Sequence, residues 1–324
     1  MTLLRTREAQ LGLAILALLV LVATRFPAFV EPGNLVRVLD DTAPLILLAL
    51  GQAVVILTRC IDLSVAANLA LTGMVCAMVN VAAPGLPIPL VMLGAMAMGA
   101  ALGAFNGALV WKLAIPPIVV TLGTLTIYRG LVFVISGGAW INAHEFSASF
   151  TALPRAVLLG LPVMAWIALI ATAGFAVLVR YAPLGRAFYA VGGNPSAAVY
   201  AGIDPGRTQF AAFVLSGAVA GLTGYLWVAR YQVAYVDIAS GFELEVVAAC
   251  VIGGISIAGG AGTVLGALLG ALFLGIVKNA LPVVGISPFW QLAISGAAIV
   301  IAVIANGRAQ RRPGRQILRR EASA

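Results

Sequence analysis

Charged residues are scarce in this chain. They make up 9% of it, against about 25% in soluble domains, while 62% of the residues are hydrophobic. Eight long apolar blocks contain no Lys, Arg, Asp or Glu, and two more contain one basic residue each. In chain order the ten blocks are 11–24, 43–58, 64–83, 88–111, 117–136, 160–179, 210–229, 246–260, 263–281 and 289–306. A helix crosses a bilayer with about 20 mostly apolar residues. The sequence therefore predicts an all-α integral membrane protein with about ten transmembrane helices, and it leaves no room for a soluble catalytic domain.

Reactive side chains are scarce as well. The chain has three cysteines, none of them in a Cys-x-x-Cys motif, and a single histidine, His144. This composition argues against a disulfide framework and a metal centre. Neither lysine completes a G-x-x-x-x-G-K-[ST] motif, because Leu113 follows Lys112 and Asn279 follows Lys278, so the sequence offers no Walker-type ATP site. We expect no catalytic residue, no metal and no cofactor in a chain that is not an enzyme.

The net charge of +8 is distributed in a way that does not suggest nucleic-acid binding. The basic residues flank the apolar blocks instead of forming one basic face. If all ten blocks cross the membrane and the N-terminus is cytoplasmic, 13 of the 19 basic residues fall on the cytoplasmic side. We therefore expect residues 1–324 to form a single polytopic domain with both termini cytoplasmic and a basic cytoplasmic tail at 308–324 near anionic lipid. Eight or nine spans remain alternatives, because blocks 43–58 and 246–260 are short.

Two pairs of segments indicate an internal repeat. Segment 62–73, which begins Asp-Leu-Ser-Val-Ala-Ala, is similar to segment 243–254, which begins Glu-Leu-Glu-Val-Val-Ala. Segments 99–104 and 266–271 share a Gly-x-x-x-Gly-Ala pattern. With ten spans, the members of each pair cross the membrane in opposite directions, as an inverted repeat requires. A chance likeness between helices rich in small residues is the alternative.

Polar side chains that could line a pathway are few. Asp62 follows Arg59 at the edge of a block and forms either a local ion pair there or a polar group beside a pathway. Arg129 falls inside block 117–136, where a charge is costly unless it faces protein or water. Together with the other polar residues of these blocks, they give the candidate pathway residues Asp62, Asn68, Thr72, Asn106, Thr124 and Arg129.

The longest cytoplasmic loop in this arrangement, residues 180–209, contains its own helix signal. Asn194 can cap a helix that begins at Pro195, and Gly202 can end it. A helix of fewer than ten residues is not stable alone, so this one needs a partner groove; an idle surface loop is the alternative. The Gly-Gly-Ala-Gly run at 259–262 is predicted to be a turn.

Four runs of the sequence resemble the permease subunits of bacterial ABC importers for sugars, in the ribose-type branch. They are residues 51–65, 121–130, 192–198 and 248–262, and the likeness extends in order over nearly the whole chain. Within that family the chain is most similar to permeases for rhamnose and for the autoinducer-2 signal. It departs from ribose-type relatives at Arg59, where these often have Gly-Gly, and in the Ala-Ala-Asn that follows Val65, where a Gly-Ser is usual.

The resemblance implies an ABC importer permease fold in the inner membrane of a bacterium. It implies three kinds of protein partner, namely ATP-binding subunits inside, a periplasmic solute-binding protein outside and a second permease subunit, identical or paralogous. Residues 195–202 would be the coupling helix that docks on the ATP-binding subunit, and the residues that shape it are Gly192, Gly193, Asn194, Pro195, Ala198 and Gly202. The expected function is import of a sugar or sugar-like solute by alternating access. A permease for a branched-chain amino acid or nucleoside, and a stand-alone secondary transporter, are the alternatives.

Overall fold

The computed structural model describes residues 6–287 and, beyond them, residues 290, 293, 296, 297 and 300. Its helices are α1 (Arg7–Ala23), α2 (Pro32–Leu57), α3 (Val65–Ala82), α4 (Ile88–Leu113), α5 (Pro117–Ser136), α6 (Ala148–Arg155), α7 (Val163–Tyr181), α8 (Pro183–Gly193), α9 (Pro195–Tyr200), α10 (Pro205–Tyr231), α11 (Phe242–Ile252) and α12 (Val264–Val283). Two 3-10 turns, Pro27–Val30 and Ala143–Glu145, and one short hairpin, β1 (Val157–Leu158) with β2 (Leu161–Pro162), complete the described elements.

Seven of the described helices are long and apolar enough to cross a membrane, namely α2, α3, α4, α5, α7, α10 and α12. Each coincides with one of the predicted blocks, so the all-α membrane class is confirmed. Three of them, α4, α5 and α10, have proline in the first turn. The N–H groups of the first turn have no partner within a helix, so a proline there costs no backbone hydrogen bond.

The predicted count of ten spans is not reached within the described residues. Block 11–24 forms α1, a helix of 17 residues. Block 246–260 forms only the 11-residue α11, which rises about 16 Å, roughly half a bilayer core. Glycines at positive φ, among them Gly254 and Gly259, end that helix and turn the rest of the block into a loop. Block 289–306 lies mostly, and the tail 308–324 wholly, outside the described residues.

The core is built around α2 and α10. Helix α2 is the most buried of the seven candidate spans, and α10 packs against α2, α3 and α4. Gly99 and Gly103 of α4 face Gly217 and Gly221 of α10, where an added Cβ would overlap backbone atoms of the opposite helix. Within lipid the hydrophobic effect does not favour association of helices. The glycines let the backbones of α4 and α10 approach closely, and van der Waals contact at this crossing stabilises the pair.

The loops separate to two ends of the bundle. At one end, which we call the α9 end, Gly260 donates its N–H to the carbonyl of Leu57, and Thr263 donates to the carboxylate of Glu8 beside the start of α1. At the other, the α6 end, Ile141 and Ala234 form a β-bridge. The described N-terminal residues therefore lie at the same end as the loop that contains α8 and α9.

Candidate functional site

The short helix predicted to begin at Pro195 is present as α9, which ends at Tyr200. The side-chain oxygen of Asn194 accepts the N–H of Ala197 at 3.1 Å, Pro195 occupies the first position, and the helix ends at Tyr200 before Gly202, whose φ is +80°. Ala198 is buried, whereas the side chain of Tyr200 is 94% exposed. The helix is therefore anchored on one face and open on the other.

Helix α8, directly before α9, was missed by the sequence analysis. It begins at Pro183 and buries Phe188 and Val191. The signal was present in the sequence, because a proline followed by apolar residues at 184, 188 and 191 has helical spacing. The segment from 183 to 200 is thus two helices joined at Asn194.

Arg59 ties this pair of helices to the end of α2. Its Nε donates to the carbonyl of Gly192 at 2.6 Å and its Nη2 donates to the carbonyl of Gly193 at 2.9 Å. The backbone of Arg59 has a φ of +66°, a conformation that costs energy for a residue with a side chain. Of the two alternatives for Asp62, the local ion pair with Arg59 is not formed, because the guanidinium binds the carbonyls that end α8, a favourable place for a cation at a helix.

A third segment, the predicted glycine turn at 259–262, completes this contact. Gly260 donates to the carbonyl of Leu57 at 3.0 Å, and the hydroxyl of Tyr189 donates to the carbonyl of Gly262 at 2.7 Å. A Cβ added to Gly192 would overlap both the Leu57 carbonyl and the Gly260 nitrogen. We call residues 57–59, 192–193 and 259–262 together the junction.

Asp62 lies beside the junction in a buried polar network. Its Oδ1 accepts the N–H of Ser64 at 2.9 Å and the hydroxyl of Ser64 at 2.6 Å, and Asn106 donates to that hydroxyl at 2.8 Å. The amide of Gln52, oriented to satisfy both of its atoms, pairs with the N–H and the carbonyl of Asp62. Burial raises the pKa of the Asp62 carboxyl to about 6, although the bonds from Ser64 oppose the shift.

Asn68 and Thr72 extend the polar contacts along α3. Asn68 donates to the carbonyl of Gly99 at 3.1 Å, and Thr72 donates to the side-chain oxygen of Asn68 at 3.2 Å. Thr124 is buried on α5 and donates to its own helix, at the carbonyl of Val120. The structure therefore brings Asp62, Asn68, Thr72 and Asn106 together around the contact of α3 with α4.

Arg129 lies apart from that group, toward the α6 end. Its Nη1 donates to the carbonyl of Ile238 at 2.6 Å and to that of Val236 at 3.3 Å. The charge within block 117–136 is thus satisfied by backbone oxygens of the 232–241 loop, which explains how a span can contain it.

Three ion pairs at the α6 end were not predicted. Arg230 contacts Asp40 at 2.7 Å and Asp41 at 3.6 Å, and Lys278 contacts Glu245 at 3.5 Å. The Asp-Asp pair directly before block 43–58 and the basic residue at the end of block 210–229 were the available signal. Among the described residues there is no cluster of three side chains able to hold a metal ion.

Residues 34–303 match the protein family described as "Branched-chain amino acid transport system / permease component". The autoinducer 2 import system permease protein LsrC of Enterobacter sp. strain 638 is 39% identical to the chain over 308 residues, which are 95% of this chain and 88% of that protein. The ribose import permease protein RbsC of Escherichia coli K12 is 35% identical over 306 residues, 94% of each chain. No solved structure matches the chain.

Proposed function

The chain belongs to the family of branched-chain amino acid transport system permease components, and on that premise we propose that it is the membrane-spanning subunit of an ATP-driven importer for a sugar or sugar-like solute. It is a transport component and not an enzyme. The observation that carries the proposal is the junction, in which the end of α8, directly before the exposed helix α9, is bound to the end of α2, the most buried of the seven candidate spans.

The cargo follows from the two relatives. Their names state import of autoinducer 2 and of ribose. Each of the two is more than one-third identical to this chain, and each match covers more than nine-tenths of this chain. A branched-chain amino acid is the alternative, because the family description names that transport.

The ATP-binding subunit would dock on α9. The chain contains no Walker motif, so a separate chain has to supply the hydrolysis. Helix α9 offers the side chains of Val199, 57% exposed, and Tyr200, 94% exposed, while its other face is anchored through Ala198. We place the α9 end in the cytoplasm and propose that both termini are cytoplasmic as well; the solute-binding protein would then dock at the α6 end.

Movement of α9 would reach the core through the junction. Arg59 holds the carbonyls at the end of α8, and Leu57 holds Gly260 ahead of α12, so α8, α2 and α12 share one set of short contacts. Helix α2 in turn packs against α7, α10, α11 and α12. A pull on α9 would therefore shift α2 against its neighbours, which is the motion that alternating access needs.

An inverted repeat is consistent with the helix contacts. In the pairing inferred from the sequence, α3 corresponds to α11 and α4 to α12, which leaves α2 to correspond to α10. Helix α10 packs against α2, α3 and α4, and α2 packs against α10, α11 and α12. The matching sets of neighbours support the proposed repeat, whose interface would contain α2 and α10.

The six candidate polar residues would serve the pathway in a state-dependent way. Asp62, Asn68, Thr72 and Asn106 are buried with protein partners around the contact of α3 with α4, and Thr124 is buried on α5. If these helices separate during transport, water or solute hydroxyl groups would replace the lost partners, since a buried polar group without one is costly. Arg129 would hold the 232–241 loop at the outer end.

The test is uptake of radiolabelled D-ribose and L-rhamnose into proteoliposomes that contain the chain together with ATP-binding and solute-binding partner proteins. We expect uptake only with ATP and all partners. Tyr200→Glu should reduce it at least tenfold, whereas Tyr181→Glu, at an exposed tyrosine of the same end, should stay within twofold. Sugar uptake by the chain alone without ATP, or uptake of L-leucine in place of sugar, would contradict the proposal.

A further inference from the structure

A cavity of about 240 Å³ lies toward the α6 end, between α2, α10, α11 and α12. Its volume is below the roughly 300–1,000 Å³ of pockets that hold drug-sized ligands. It therefore suits a solute with about five or six carbons. None of the candidate pathway residues lines it.

One wall of the cavity is aromatic. Trp227 of α10 packs against Tyr231 with ring centroids 5.2 Å apart and against Phe242 of α11 at 5.3 Å. All three rings line the cavity. The C–H groups on one face of a sugar ring are apolar and pack on such a surface, and tryptophan and tyrosine supply it together with a polar edge.

Another part of the cavity wall is polar. Asp41 and Thr42 of α2 and Lys278 and Asn279 of α12 line it. A carboxylate and an amide oxygen can accept hydrogen bonds from hydroxyl groups, and an amide N–H and an ammonium group can donate hydrogen bonds to hydroxyl oxygens. A few polar groups facing an aromatic surface are the usual composition of a small-molecule site.

The charges of the cavity are compensated. Asp41 lies 3.6 Å from Arg230, and Lys278 lies 3.5 Å from Glu245. The cavity thus presents one acidic and one basic group, each with an oppositely charged neighbour. Such walls favour a neutral solute rich in hydroxyl groups over an ion, which would have to displace these partners.

The cavity is closed on the side of the core. Gly275 of α12 is pressed against the side chain of Thr42 of α2, where an added Cβ would overlap the threonine hydroxyl, and Leu45 lies beneath them. A solute in the cavity can go no further toward the junction until α2 and α12 separate at this contact. These are the two helices that the junction connects.

We infer, on the basis of the proposed function, that this cavity is a binding site for a neutral polyhydroxylated solute of pentose to hexose size. The permease itself would then hold its cargo after delivery. Trp227 of the aromatic part and Asn279 of the polar part of the wall are the residues that bind it. The site would be occupied before the contact of Gly275 with Thr42 opens.

Equilibrium binding of tritiated D-ribose and L-rhamnose to the full-length chain in lipid nanodiscs tests the site. We expect saturable binding of at least one of the two sugars. Trp227→Ala should weaken it at least tenfold and Asn279→Ala at least threefold. Trp140→Ala, at an exposed tryptophan of the same end that stacks on Tyr235 outside the cavity, should change it less than twofold. Size-exclusion profiles of the variants verify that they are folded.

Three outcomes would overturn the inference. These are absence of saturable binding of both sugars, equal weakening by Trp140→Ala and Trp227→Ala, and binding of L-leucine in place of sugar at a Trp227-dependent site. ATP-dependent sugar uptake by the assembled importer separates the two proposals. If the importer takes up sugar while the chain alone binds none, the cavity site is wrong and the proposed function stands.

Discussion

The two ends of the helix bundle are held together by different kinds of contact. At the α9 end the junction is built from backbone groups, glycines and one arginine, and it has no room for an added Cβ at Gly192. At the α6 end ion pairs and packed aromatic rings add side-chain contacts to the Ile141–Ala234 bridge, and a cavity remains beside them. A backbone contact without free space transmits displacement, whereas side chains around a cavity can rearrange. The first end is suited to receive a mechanical input and the second to receive a solute.

The largest effect that this comparison predicts is at Gly192. Gly192→Ala places a Cβ onto the Leu57 carbonyl and the Gly260 nitrogen, both of which are backbone atoms that cannot move aside alone. ATP-dependent sugar uptake should fall at least about 100-fold in proteoliposomes. Gly174→Ala in α7, where an added Cβ meets open space, is the matched control and should stay within twofold. Equal uptake by the two variants would mean that the junction tolerates displacement.

Arg59 gives the next largest effect. Arg59→Gly removes both bonds to the end of α8, and glycine adopts the left-handed backbone of this position without strain. Any loss of coupling in this variant is therefore due to the lost contacts and not to added strain. Hydrogen bonds to charged groups contribute about 1.5–3 kcal/mol. We therefore expect solute-stimulated ATP hydrolysis by the assembled importer to fall about tenfold while its basal hydrolysis is retained. Arg155→Gln, at an exposed arginine of the α6 end, should leave the stimulation unchanged, and a normal Arg59→Gly importer would show that the contact is dispensable.

The ion pair at the α6 end should affect stability more than transport. Arg230→Met leaves the Asp40 carboxylate buried without its nearest cation, a change that costs about 3–5 kcal/mol in buried pairs. The thermal unfolding midpoint of the detergent-solubilised chain should drop by at least about 5 °C. The double variant Asp40→Leu with Arg230→Met removes both charges and should recover at least half of the loss. A double variant that is less stable than Arg230→Met would contradict the conclusion that the unpaired Asp40 carboxylate causes the loss of stability.

The sequence alone predicts the parts of this architecture that follow from local patterning. Apolar blocks locate the seven candidate spans, and the Asn194-Pro195 signal locates α9, because caps and helix periodicity are encoded within a few residues. The family resemblance is confirmed by the match over residues 34–303. The partners of Arg59 could not be predicted in this way, since Gly192 is 133 residues away along the chain. The left-handed backbone that directs its side chain also leaves no pattern in the sequence.

The α6 end shows a second reason why the sequence alone does not predict the whole site. The cavity is bounded by residues from four helices, and its neighbours Asp41 and Lys278 are separated by most of the chain. The apolar block 43–58 contains no charged residue and therefore leaves out Asp40 and Asp41, although α2 begins at Pro32. A charged residue inside a span needs a partner from another segment of the chain or water, and such partners become visible only in the fold.

The smallest predicted effect compares one hydroxyl at each end. Tyr189 donates to the carbonyl of Gly262 at the junction, and Tyr225 donates to the carbonyl of Phe150 at the α6 end. Replacing either tyrosine by phenylalanine removes one hydrogen bond worth about 0.5–1.5 kcal/mol, so both variants should lose a similar, small amount of thermal stability. Only Tyr189→Phe should also lower solute-stimulated ATP hydrolysis, by about two- to threefold. Because the chemical change is the same in both variants, an equal effect on that stimulation would mean that the two ends do not differ in how they transmit movement.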